Sequence, residues 1–158
     1  MQRRELLETG AMAAAMATVG LGGLLPTRAR ADNTAHAWPA RAFHAEAVDA
    51  AIAELFGDRD TEESERITLT APDIAENGRV VPVEVAADLP GVETMTVLSD
   101  GNPFPLLARA HVTSAVAPRV SIRVKLGQSA TLIALVEADG KLYRGTRAVK
   151  VTAGGCGG

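Results

Sequence analysis

The residue of this chain most open to chemistry is a single thiol near its end. Cys156 is the only cysteine among 158 residues. Gly154 and Gly155 precede it, and Gly157 and Gly158 follow it. Glycine lacks a Cβ and takes both signs of φ freely, so a terminal run of it is expected to form a pliable arm that does not pack. A structural cysteine is ordinarily a small buried apolar residue, and this position has nothing to bury it. The pattern predicts chemistry done on the sulfur outside the protein's own core. A frayed tail with an incidental cysteine is the alternative.

Other constellations that could carry catalysis are missing from the sequence. His36, His44 and His111 are widely scattered and form no metal-ligand spacing with Cys156. For His44 and His111 a structural role is expected, and no metal site is read. Asp73, Glu76 and Glu84 do not make an evident acid/base pair. No glycine-rich loop follows a strand and opens a helix, which argues against a nucleotide site. A cysteine hydrolase needs an ordered base beside its thiol, and a tail between glycine pairs cannot hold one. No catalytic residue is therefore assigned.

The N-terminus reads as an export address. Arg3 and Arg4 precede a weakly apolar Ala/Gly-rich stretch from Ala11 to Leu25, and Ala29-Arg30-Ala31 has a small-x-small cleavage pattern. Paired arginines in this setting point to the twin-arginine route, although Gln2 and Glu8 depart from its usual flanks. The apolar stretch is short and glycine-rich for a membrane anchor. Residues 1–31 are thus expected to be an export signal, which places the protein in the periplasm. Cleavage after Ala31 would leave about 127 residues (158 minus 31), the size of one ordinary domain. Exported proteins meet an oxidising compartment. A lone cysteine there implies intermolecular pairing or a reactive thiol.

The charge of the whole chain is −3. Without Arg3, Arg4, Arg28, Arg30, Glu5 and Glu8 it becomes 12 minus 17, or −5. No basic patch suits nucleic acid. Aromatics are few (Trp38, Phe43, Phe56, Phe104 and Tyr143), so the core must come from Val, Leu, Ile and Ala.

Asp32 to Pro39 looks like a loose leader. Ala42 to Phe56 has no Gly or Pro and carries Val48, Ile52, Leu55 and Phe56 at helical period, with Gly57 as its stop. Asp58 to Arg66 reads as a charged, solvated connection. From Ile67 onward the period becomes two. Strands are expected at Ile67–Leu69, Val80–Val85, Glu93–Leu98, Arg119–Leu126, Ala130–Glu137 and Lys141–Val151, with an irregular one inside Phe104–Val112. Asn77-Gly78, Ser99 to Pro103 and Asp139-Gly140 are turn signals. Pro82 marks an edge or a bulge. About seven short strands predict an immunoglobulin-like antiparallel β-sandwich with an N-terminal helix over residues 32–151, followed by a carrier arm at 152–158. One strand is unusual: Leu132–Val136 is apolar on both faces, so either the N-terminal helix or a partner protein must cover the second face.

An exported sandwich that ends Lys150-Val151-Thr152-Ala153-Gly154-Gly155-Cys156-Gly157-Gly158 resembles the SoxY family, the sulfur-carrier subunits of the thiosulfate-oxidising Sox system. Glu76 to Val83, the Asn102-Pro103-Phe104-Pro105 turn and the twin-arginine signal add to the likeness, which spans essentially the whole mature chain. The resemblance implies that Cys156 holds sulfur intermediates covalently and that the chain has no cofactor of its own. It implies a haem enzyme that joins thiosulfate to the thiol, a hydrolase that releases sulfate and, where present, a molybdenum enzyme that oxidises the remaining sulfur. It further implies a heterodimer with a SoxZ-type subunit covering the Leu132–Val136 sheet. From Val151, an extended arm reaches Cys156 over at most about 17 Å. Two other classes stay open: an exported thiol oxidoreductase, and an immunoglobulin-like adhesion domain that dimerises through a tail disulfide.

Overall fold

The structure, a computed structural model, describes residues 37–152. Two short helices, α1 (Ala40–Phe43) and α2 (Val48–Phe56), precede nine strands. These are β1 (Thr61–Glu63), β2 (Ile67–Thr70), β3 (Ile74–Ala75), β4 (Val81–Ala87), β5 (Val92–Ser99), β6 (Leu106–His111), β7 (Arg119–Val124), β8 (Ala130–Ala138) and β9 (Lys141–Val151). The large sheet has the order β1-β9-β8-β5-β6, with β3 also on β9. The small sheet is β2-β4-β7. The two sheets pack face to face as the expected immunoglobulin-like sandwich. Its seven expected strands are all present, within a few residues of their expected ends.

The two-sided apolar strand is explained by three layers. Leu132, Ala134 and Val136 of β8 join Met95, Val97, Val83 and Val85 between the sheets. Ile133 and Leu135 point the other way and pack with Ala51, Phe56, Leu98 and Leu106 under the helices. The helical segment therefore covers the second face. The expectation that a partner subunit covers the Leu132–Val136 sheet is corrected: that face is already buried within this chain.

The single helix expected over 42–56 is interrupted at His44–Ala47, although no Gly or Pro lies there. The cause is tertiary. Ala42 and Ala51 are both buried against the sheet, yet nine residues at about 100° each would point them to opposite sides of one continuous helix. Breaking the helix turns both inward. Arg41 and Glu54 tie the two pieces at 2.9 Å. Gly57 ends α2 with φ of 67°, a region glycine enters without strain.

Two strands were not expected, and both are parallel additions to the outer edge of β9. The charged connection forms β1, with Thr61 opposite Leu142 and Glu63 opposite Arg144. Lys141 and Glu62 lie 3.9 Å apart, and Arg144 and Glu63 3.5 Å. Such a strand has no apolar alternation to announce it. Further along, β3 pairs Ile74 with Lys150 and Ala75 with Val151. Between these attachments the chain crosses to the small sheet as β2. It passes so close that a Cβ on Gly145 would lie 3.0 Å from Cγ2 of Ile67.

Pro82 occupies an edge position within a central strand. β2 ends with Thr70 opposite Glu84, so Pro82 has only β7 as neighbour, opposite Arg123. The irregularity expected in β6 is a register shift against β5 at Val97/Leu98, which leaves Leu107 as the extra residue of a bulge. At the Asp139-Gly140 hairpin both residues have positive φ, 48° and 74°, as a type I′ turn requires.

Candidate functional site

Cys156, Gly154, Gly155, Gly157 and Gly158 lie outside the described residues, as do Arg3, Arg4, Ala29 and Ala31. What the structure does describe is the root from which the thiol-bearing tail departs. β9 runs eleven residues, and its last backbone groups are held on both sides. Lys150 N–H donates to Asp73 O at 2.9 Å, and Thr152 N–H to Ala75 O at 3.1 Å. On the opposite side Val151 N–H donates to Ser129 Oγ at 2.9 Å. The Thr152 hydroxyl reaches Glu76 O at 3.4 Å. Arg147 on β9 pairs with Asp73 at 2.8 Å, which holds the entry to β3 against the strand. Each bond is worth only about 1 kcal/mol. Together they fix the chain up to Thr152.

Sequence reasoning missed this clamp. Asp73 to Glu76 lies between Ala71-Pro72 and Asn77-Gly78 and reads as a connection, because a two-residue strand is too short to alternate. Ser129 lies between the expected strands Arg119–Leu126 and Ala130–Glu137, and nothing in the sequence marks its hydroxyl.

Beside the root is a shallow depression of about 370 Å³, lined by Asp100, Ser129, Thr131, Ala148, Val149 and Lys150. Asp100 is engaged, accepting from Thr131 N–H at 2.7 Å. Ile74 stands exposed on β3. Ser129 is engaged as well, by Val151 N–H.

The other titratable groups are distributed structurally. His44 holds Ala40 O with Nδ1 at 2.7 Å and sits edge-on to Phe104 with ring centroids 6.5 Å apart. His111 ends β6 opposite Thr94, so these two histidines flank opposite ends of one strand. His36 lies outside the described residues. Asp73 and Glu84 are in ion pairs with Arg147 and Arg119, in different sheets. Among the described residues no group of three His, Cys, Asp or Glu side chains could hold a metal ion.

One charged cluster is partly buried. Glu137 on β8 accepts from Arg59 and, at 3.1 Å, from the Thr94 hydroxyl. Arg109 on β6 lies 3.9 Å away and stacks over Phe56 of α2, 4.9 Å from its ring centroid. Burial pushes the Glu137 carboxyl up. The hydrogen bonds from Arg59 and Thr94 and the charges of Arg59 and Arg109 outweigh it, leaving it below the usual carboxylate range. Burial, only partly offset by Glu137, lowers Arg109, an effect too small to discharge a guanidinium. This cluster fastens α2 to the large sheet.

Comparison with known proteins places the chain. Residues 52–156 match the family described as sulfur oxidation protein SoxY, a span running from α2 to the cysteine itself. Among solved structures, the sulfur carrier protein SoxY from Chlorobium limicola f thiosulfatophilum is 42% identical with a TM-score of 0.62, covering 66% of this chain and 96% of that one. A superoxide reductase (neelaredoxin) from Ignicoccus hospitalis, 21% identical with a TM-score of 0.50, covers 55% of this chain and 80% of that one. At that identity the likeness is one of fold. No curated protein sequence matches.

Proposed function

The chain belongs to the SoxY family of sulfur oxidation proteins, and from that premise we propose that it carries sulfur intermediates covalently on Cys156 and presents them to partner enzymes. A carrier role within the Sox system follows from the family. The step to this cysteine is carried by one observation: the chain's only thiol lies four residues (156 minus 152) beyond the last clamped backbone group. A segment of that length extends at most about 14 Å. That is enough to enter a partner's cleft while the sandwich stays outside it.

The chemistry follows from the thiol. A thiolate is the reactive form. In the first step its sulfur bonds to the sulfane sulfur of thiosulfate, and an electron pair leaves to a haem enzyme. In the second, water attacks the terminal sulfonate and breaks the sulfur–sulfur bond to it. Sulfate departs, and a persulfide, a reversible state of cysteine, remains on the carrier. A molybdenum enzyme, where present, oxidises that outer sulfur, and a second hydrolysis restores the thiol. The carrier supplies reach and identity, the partners supply catalysis, and Gly154, Gly155, Gly157 and Gly158 keep the arm narrow. A SoxZ-type subunit completes the carrier as a heterodimer. The pair Arg3 and Arg4 with the Ala29 to Ala31 site directs the protein to the periplasm.

Thiosulfate-dependent oxidation with purified partner enzymes tests the reading. Cys156→Ser is expected to abolish turnover while leaving the unfolding midpoint unchanged. Sustained turnover in that variant would sink it. Peroxide or disulfide turnover by the isolated chain would instead favour an oxidoreductase.

A further inference from the structure

Among the described residues, the small sheet ends at β7 with no further strand beside it. β7 pairs with β4 on one side only. In an antiparallel ladder, pairs that exchange hydrogen bonds alternate with pairs that do not. Ala87 N–H donates to Pro118 O at 3.0 Å, which fixes the alternation. Val120 and Ile122 bond with β4, and the N–H and C=O of Ser121 and Arg123 point away from it. Among the described residues nothing meets those groups. Just past the strand the same edge is capped: Asn102 donates from Nδ2 to Lys125 O at 2.8 Å and accepts from Gly127 N–H at 3.1 Å. The open stretch is therefore bounded, and it coincides with β7.

The apolar side of this edge is also incomplete. Val120 and Ile122 are only half-buried, as are Leu107 and Ala108 on β6, the facing edge of the large sheet. A depression of about 330 Å³ lies between the two edges, lined by Leu107, Ala108, Ile122 and Val124 among others. A strand laid along β7 would drop every second side chain onto this seam. Its alternate side chains would stand beside Arg119, Ser121 and Arg123. Arg119 already pairs with Glu84 at 2.7 Å. Arg123 lies opposite Pro82, which offers its guanidinium no acceptor. Neither Arg123 nor Lys125 has a carboxylate within ion-pair distance among the described residues.

We propose that the open edge of β7 receives an extended segment of a different protein, alternating apolar with acidic residues, as a fourth strand of the small sheet. Main-chain bonds to Ser121 and Arg123 would supply attachment, and the seam would supply register. A second copy of this chain is the poorer occupant. Pairing β7 with itself about a two-fold centred on Ser121 places Arg119 opposite Arg123 twice, and like charges directly opposite repel. The inference is independent of what Cys156 carries.

The test uses the full chain and a capped peptide of alternating valine and glutamate, followed by backbone amide shifts and hydrogen exchange. Saturable shifts and protection confined to Ser121, Arg123 and the seam residues are expected. Binding should weaken about tenfold in Arg123→Glu, the equivalent of one favourable pair turned unfavourable. Ser121→Pro removes an N–H that β4 does not use, so it should lose binding while melting like the wild type. If that variant misfolds, Arg123→Glu still decides. The proposal is overturned if no protection develops at β7, if Arg123→Glu binds as wild type does, if a valine–lysine peptide binds equally well, or if the edge is protected by self-association.

Discussion

The two sides of the sandwich are finished in opposite ways. Along the outer edge of β9 the chain returns twice, as β1 and as β3, and covers the strand with parallel additions. Along β7 none of the described residues returns to pair with the strand. The covered edge leads into the thiol-bearing tail, and its clamp ends at Thr152. The chain places a cluster of local hydrogen bonds at the point where the thiol-bearing segment departs. The uncovered edge belongs to the other sheet.

The covered edge is most sensitive to substitution at Gly145. Valine there would push into Ile67, whose Cγ2 and Cβ lie 3.0 and 3.3 Å from the added Cβ. Overpacking of this kind costs about 1–3 kcal/mol, and a lowered denaturation midpoint is expected. An unchanged midpoint would show that the β2 crossing is loose and the covered edge less defined than described.

The edge at β6 is tied instead by charge, and pH probes that tie. Glu137 is held below the usual carboxylate range in the folded state. Its contribution is therefore present above the unfolded carboxylate value and is lost as pH falls through the lower folded value. Glu137→Gln should destabilise the protein at neutral pH, with the difference shrinking on acidification. Urea unfolding at several pH values checks this. A gap that widens in acid would contradict the cluster's assignment.

At the root the expected effect is smaller but local. Ser129→Ala removes one hydrogen bond to Val151 and should cost about 1 kcal/mol or less. Amide exchange at Val151 and Thr152 should nonetheless quicken relative to the rest of β9. Uniform exchange along the strand would mean that the clamp does not set where the tail begins. At the open edge, Arg123→Glu should leave the stability of the isolated chain within about 0.5 kcal/mol, as for an unpaired surface residue. A larger loss would reveal a partner for Arg123 within the fold.

How much of this was legible in the sequence depended on period. The seven strands of the sandwich were readable, most from alternating apolar residues and Leu132–Val136 from a continuous apolar run, as was the Asp139-Gly140 hairpin. The helical stripe was readable, but its break was not, because Ala42 and Ala51 turn inward for reasons set by the sheet. β1 and β3 were hidden: one is polar throughout, and the other is two residues long. The apolar second face of Leu132–Val136 was visible, and the helix rather than a partner proved to be its cover. The thiol was plain from composition. The clamp that gives it an origin depends on Ser129, Asp73 and a short strand whose meaning exists only in three dimensions.

The central claim is that Cys156 carries sulfur. Intact mass and peptide mapping of the protein, taken after reaction with thiosulfate and the partner haem enzyme, test it most directly. The account predicts added thiosulfonate mass on the peptide bearing Cys156, converted to a single added sulfur once the sulfate-releasing hydrolase has acted, and no adduct on Cys156→Ser. An unmodified Cys156 peptide under conditions in which thiosulfate is being consumed would contradict it.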